Sequence, residues 1–158
     1  MDIPKNILKV LKANHWDEFN YELSKDSYVN KIRKMYSKCD YPLTDTLVEK
    51  LSVFYNTKIR KDRDNFHYYF YLCYKHIANI STRFINECVA NCNVSKMLVL
   101  GDITQYADVV LLDEQENVWV VGDTKLYYYA SDGDIFNGIE KLFSGQYDKE
   151  ISVSNEAG

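Results

Sequence analysis

The sequence predicts an α+β domain in which N-terminal helices pack on a mostly antiparallel β-sheet, followed by a C-terminal amphipathic helix. Three observations carry this expectation. Short β-branched and aromatic runs at residues 97–100, 109–112, 118–121 and 126–129 follow one another, each ended by Gly, Asp or Ser. Helical periodicity then takes over, with Ile135, Ile139 and Leu142 widened into a stripe by Phe136 and Phe143. The 158 residues contain no internal repeat or interdomain linker, so they read as one domain, 1–158. A chain of that length removes about two-thirds of its unfolded surface from water.

Taken in order, residues 4–13 form a short helix with Pro4 in its first turn and Ile7, Leu8 and Leu11 facing inward. His15-Trp16 breaks it, with Trp16 as a packing anchor. Asp26 or Ser27 caps a second helix that runs to about Lys38, with Tyr28, Ile32, Met35 and Tyr36 on its apolar side. Pro42 then opens a third, in which Leu43, Leu47, Leu51 and Phe54 show the clearest periodicity in the chain. Residues 57–59 read as a short strand, 58–64 as a solvated run of mixed charge, and 66–74 as an aromatic strand carrying His67. Ile77, Ile80, Phe84 and Cys88 mark a fourth helix over 77–92. For the last helix, Ser131 or Asp132 serves as cap, Asp134 suits the first turn and Gly145 ends it. The core spans about 8–146, and 152–158 is a small, polar, frayed tail.

Composition narrows the function classes. Hydrophobic residues at 46 % and charged residues at 27 % are ordinary for a globular protein, whereas fourteen tyrosines are many and suit core edges and binding surfaces. The start of the chain has no signal-peptide core, and no apolar run reaches the roughly 18 residues that span a bilayer. A cytoplasmic protein with reduced cysteines is expected, without a membrane partner. Cys88 and Cys92, with His67 and His76 upstream, raise the question of zinc. No paired C-x-x-C supports a metal, and buried thiols are the preferred reading. Gly101, Gly122, Gly133, Gly138 and Gly145 match no phosphate-binding spacing, and no cofactor is expected.

The net charge is −4, but residues 1–64 carry +3 and residues 65–158 carry −7. An acidic half argues against direct nucleic-acid binding, which needs a basic patch, and favours a basic protein partner steered by charge. The candidate contact residues are Asp102, Tyr106, Asp108, Asp113, Glu114, Glu116, Asp123 and Asp132, at the strand ends and turns. The oligomeric state is left open.

The string YPLTDTLVEKLSVF (Tyr41 to Phe54), the Gly101-Asp102 strand end and the apolar strand to Asp113 form a recognisable order of parts. A turn before Val118-Trp119, a Gly-Asp element and a helix ending in Leu142-Phe143-Ser144-Gly145 continue it. This order resembles the third immunity branch of the SUKH superfamily, over roughly residues 8–146. The chain departs from the pattern at Gln115 to Asn117, which lacks a glycine, and at Phe54-Tyr55-Asn56. The resemblance implies a SUKH-like immunity protein of a bacterial polymorphic toxin system. Such a protein binds the toxic domain of a cognate toxin, often a nuclease or deaminase, encoded by the adjacent gene. A regulatory protein-binding module is the alternative reading. A further one is a Mg²⁺-dependent nuclease in which Asp113 and Asp123 hold the metal and Lys125 positions water, with Asp108 as an added carboxylate.

Overall fold

The computed structural model describes residues 1–63, 66–71, 80–103, 108–122 and 124–153, with side chains over 1–60, 80–102, 108–122 and 124–153. Three N-terminal helices come first: α1 (Lys5–Ala13), α2 (Glu18–Met35) and α3 (Asp45–Ser52). Strands β1 (Lys58–Arg63) and β2 (Phe66–Tyr71) precede α4 (Thr82–Cys92). Then come β3 (Met97–Ile103), β4 (Asp108–Asp113), β5 (Val118–Val121), β6 (Lys125–Tyr129), α5 (Ile135–Ser144) and β7 (Lys149–Ser152). The strands form one seven-stranded sheet in sequence order, antiparallel at every step, so the fold is α+β as expected.

The sheet is covered on both faces. Leu98, Leu100, Val110, Leu112, Val118, Val120 and Tyr129 pack against Ile7 and Leu11 of α1, Ile32 of α2, Leu47, Val48 and Leu51 of α3, and Ile135, Phe136 and Ile139 of α5. Met97, Val99, Val109, Leu111, Trp119, Val121 and Leu126 pack on the opposite face with Cys88 and Cys92 of α4. Antiparallel strands usually alternate because one face meets water; here β4 and β5 are continuous apolar runs because neither face does. The three tyrosines of β6 divide by the pleat: Tyr127 and Tyr129 join the first cluster, and Tyr128 joins the second beside Trp119.

Local chemistry moves several boundaries from those the sequence suggests. Asp17 accepts a hydrogen bond from the Asn20 amide and so starts α2 nine residues ahead of Asp26. Periodicity misses this turn because Tyr21 faces the core while Phe19 and Leu23 do not. Pro42 does not open α3; Thr44 does, its hydroxyl accepting from the Leu47 amide. Ser81 caps α4; residues 77–79 of the expected helix and 72–74 of the expected strand lie outside the described residues. Asp134, rather than Ser131 or Asp132, caps α5 by accepting from the Phe136 amide at 3.0 Å, while Gly145 closes it with φ +70°. The expected charge run at 58–64 is strand β1 as far as Arg63, and strand β7 ends on Ser152, the first residue of the expected tail, of which 154–158 lie outside the described residues.

Asp148 holds β7 and α5 to β6. Its carboxylate accepts from the Ala130 amide at 2.8 Å and from Lys141 Nζ at 3.0 Å, while its own amide donates to the Tyr128 carbonyl. Gly138 lies where α5 touches the sheet: a Cβ there would run into Ser131 Oγ and come within 2.8 Å of Val118 Cγ2. Gly138→Ala is therefore expected to destabilise the protein by about 1–3 kcal/mol through overpacking. Leu51→Ala opens a core cavity and should cost about 2–5 kcal/mol. Urea denaturation reads both, and an unchanged midpoint for either would refute the packing described.

Candidate functional site

The register of the sheet separates the acidic residues that the sequence brings to attention. Met97 pairs with Asp113 at one end of the β3–β4 ladder, and Ile103 pairs with Asp108 at the other. Glu114, Glu116 and Asp132 belong to the Asp113 end, and Asp102 belongs to the Asp108 end. Asp102 pairs with Val109 and so lies on the Trp119 face, while Asp108, two residues before Val110, lies on the face of the four-helix core. Tyr106 and Asp123 lie outside the described residues. The described strand-end acids thus do not share one face of the sheet.

Asp113 is corrected outright, since only 3 % of it is exposed. Its Oδ1 accepts from the Gln115 and Asn117 amides, each at 2.9 Å, and its Oδ2 accepts from Trp119 Nε1 at 3.0 Å. Tyr41 Oη donates to its carbonyl. This carboxylate shapes the β4–β5 turn and ties it to the sheet and the α2–α3 connection. Glu114 accepts from the Ser95 and Lys96 amides. Burial alone would raise its carboxyl, but the amides of Glu114 itself, Ser95 and Lys96 hold it below the ordinary value. Glu116, raised by burial and countered by Lys50, shares that lysine with Asp134, whose Oδ1 receives Lys50 Nζ at 2.9 Å. Asp132 is exposed.

The Asp113, Asp123, Lys125 constellation is not assembled by its described members. Val118 pairs with both Leu112 and Tyr129, whereas Val121 pairs with Val109 and Leu126. Lys125 therefore sits at the Asp108 end, roughly 15–20 Å along the strands from Asp113. Its ammonium pairs with Glu150 at 2.7 Å. Among the described residues no group of three or more His, Cys, Asp and Glu side chains could hold a metal ion. The Cys88 and Cys92 thiols are buried, which pushes them up to about 11 and about 12. His76 and the His67 side chain lie outside the described residues. No described helix is long and apolar enough to cross a membrane.

What the fold does assemble lies at the α1–α2 corner. An open cavity of about 330 Å³ is lined by Met1, Asp2, Ile3, Leu8, Trp16, Glu18, Tyr21, Glu22 and Lys25. Pro4 initiates α1 so that Ile3 and Leu8 form one wall. The left-handed His15 (φ +67°) turns the chain so that Trp16 folds back under it, its amide donating to the Leu11 carbonyl. The Trp16 and Tyr21 rings meet at 5.4 Å, and Tyr21 is anchored by a 2.8 Å hydrogen bond with Ser52. Burial raises the Tyr21 hydroxyl, so it stays neutral at physiological pH.

Charge at this corner is uneven. Lys25 Nζ is held by Glu49 at 2.7 Å, and the amino-terminal ammonium also acts on Glu49. Asp2, Glu18 and Glu22 form no ion pair with any described residue. Beside them, Phe19 and Leu23 are 70 % and 72 % exposed. At 100° per residue, Tyr21 and Lys25 lie toward the cavity, Glu18 and Glu22 come next around α2, and Phe19 and Leu23 follow. Hydrophobic periodicity does not mark 17–25 as helical, because Phe19 and Leu23 face outward while Tyr21 faces the core. Asp17-Glu18, a capping residue followed by a first-turn acid, is the signal that marks the start of α2.

Compared with protein-family models, curated proteins and solved structures, the chain matches none.

Two outcomes are expected from this arrangement. Asp113→Ala strands two buried donors, the Asn117 amide and the Trp119 indole, at about 1–3 kcal/mol each, so it should lower stability by at least about 2 kcal/mol in denaturant titration. A variant as stable as the parent would contradict its structural role. The hydrogen bond from Lys25 holds the Glu49 carboxyl below its ordinary value. Its stabilisation is present above the unfolded-state pKa and is lost as pH falls through the lower folded-state value. Glu49→Gln should accordingly flatten the loss of thermal stability below about pH 4.5, and an equally steep acid limb would disprove the linkage.

Proposed function

We propose that this chain acts by stoichiometric binding to another protein, as an immunity protein that neutralises a cognate bacterial toxin encoded beside it. The observation that carries this reading is the outward-facing pair Phe19 and Leu23, one helical turn apart and flanked by the acids Glu18 and Glu22. Leaving two large apolar side chains in water forgoes burial worth about 1.5–3 kcal/mol each, a loss that a partner surface would recover. The adjoining acids favour a partner that is basic at the contact.

A nuclease or nucleic-acid deaminase fits that description, because an enzyme that grips phosphates is basic where it grips them. The order of elements also supports the reading, since the meander β3 to β6 followed by α5 is the sequence of parts in the SUKH resemblance. Protection of a cell calls for nanomolar affinity, roughly −12 kcal/mol. An interface of about 800 Å² per partner with a few apolar anchors supplies it.

Co-expression with the product of the adjacent gene is expected to yield a one-to-one complex and to abolish that product's toxicity. Phe19→Glu combined with Leu23→Glu should weaken the complex at least tenfold while leaving the melting temperature within a few degrees. A toxic neighbour that this chain neither binds nor silences would overturn the immunity reading.

A further inference from the structure

The cavity at the α1–α2 corner is not explained by packing, and its walls specify a chemistry. Its floor is aromatic and aliphatic, from Trp16, Tyr21, Leu8 and Ile3, and its rim carries the carboxylates of Asp2, Glu18 and Glu22. The basic groups beside it are Lys25, engaged by Glu49, and the amino-terminal ammonium of Met1, which also acts on Glu49. Glu18 and Glu22 stand one helical turn apart, a spacing at which two carboxylates approach one planar cation from the same side. A volume of about 330 Å³ is at the small end of ligand sites, suited to a single long side chain rather than to a cofactor.

We infer that this cavity receives an arginine side chain of the partner protein, its guanidinium between Glu18 and Glu22 and its methylene stem against Trp16 and Leu8. The inference rests on reading the chain as a partner-binding protein and names the chemistry of the contact. Arginine is favoured over lysine because the planar guanidinium matches carboxylates in a fork, stacks on aromatic rings and is more weakly hydrated. A small free cation is disfavoured because Phe19 and Leu23 continue the footprint past the acid row, over a surface that only a larger partner covers. Glu18 also lies in the first turn of α2, where a negative charge suits the helix dipole, and that role places it at the rim without engaging its carboxylate.

The test uses the full chain and N-acetyl-arginine amide as probe, followed by two-dimensional ¹H–¹⁵N NMR. The Trp16 indole N–H and the Glu18 and Glu22 amides are expected to shift saturably, with N-acetyl-lysine amide at least threefold weaker. Glu18→Gln combined with Glu22→Gln should weaken the arginine probe about tenfold, with a melting temperature within a few degrees of the parent's showing that the fold is intact. Shifts that never saturate, that centre elsewhere, or that survive in the double variant would overturn the assignment. Equal binding of the lysine probe would overturn the choice of guanidinium. Co-purification with the adjacent gene product separates the two levels: a wild-type chain that binds arginine amide but no toxin defeats the immunity reading alone. A toxin complex that tolerates both glutamines defeats the cavity assignment alone.

Discussion

The constraint on which the rest depends is that β4 and β5 have no face they can leave in water. Val110, Leu112, Val118 and Val120 point one way, and Val109, Leu111, Trp119 and Val121 point the other. Each set needs a cover, and the helices are distributed accordingly. α1, α2, α3 and α5 supply one cover and α4 the other, placed between β2 and β3 where the chain can cross behind the sheet. The three-layer arrangement follows from those two stripes of valine and leucine more than from any helix propensity.

Polar groups that the fold buries are recruited to hold the layers in register. Asp113 collects amides of the β4–β5 turn and the Trp119 indole, and its carbonyl receives Tyr41 from the α2–α3 connection. Asn117 accepts from the Ser131 amide and so fastens that turn to the segment that leads into α5. Lys50 reaches from α3 to Asp134 at the start of α5, with its ammonium 5.4 Å from the centre of the Phe136 ring. Asp113, buried and already accepting three hydrogen bonds inside the fold, has little left to offer a partner.

The same distinction separates structural acids from those available for recognition. Glu114, Asp134 and Asp148 each accept backbone amides or lysine ammonium groups within the chain. Among the described residues Glu18 and Glu22 have no such donor, and they lie between a cavity with aromatic walls and two exposed apolar side chains. An aromatic floor with charged rims and adjoining apolar anchors is how protein interfaces concentrate affinity in a few side chains.

The sequence by itself determined the α+β class, the four consecutive strands from Met97 to Tyr129 and the helix ended by Gly145. Those features are local: β-branched runs bounded by Asp and Gly, a stripe at helical spacing, and a residue that adopts positive φ without strain. It also placed Tyr127 and Tyr129 opposite Tyr128, because alternation along a strand does not depend on what covers it. Only the tertiary structure decided that both faces of the sheet are core, that Asp113 is interior, and that Asp102 and Asp108 face opposite ways. Register, including its shift between Val99 and Gly101, and layer order set those outcomes, and each depends on contacts between residues distant in sequence. The cavity could not be read from the chain for the same reason. Asp2, Trp16 and Glu22 come to line one cavity only when the chain turns at the left-handed His15 between α1 and α2.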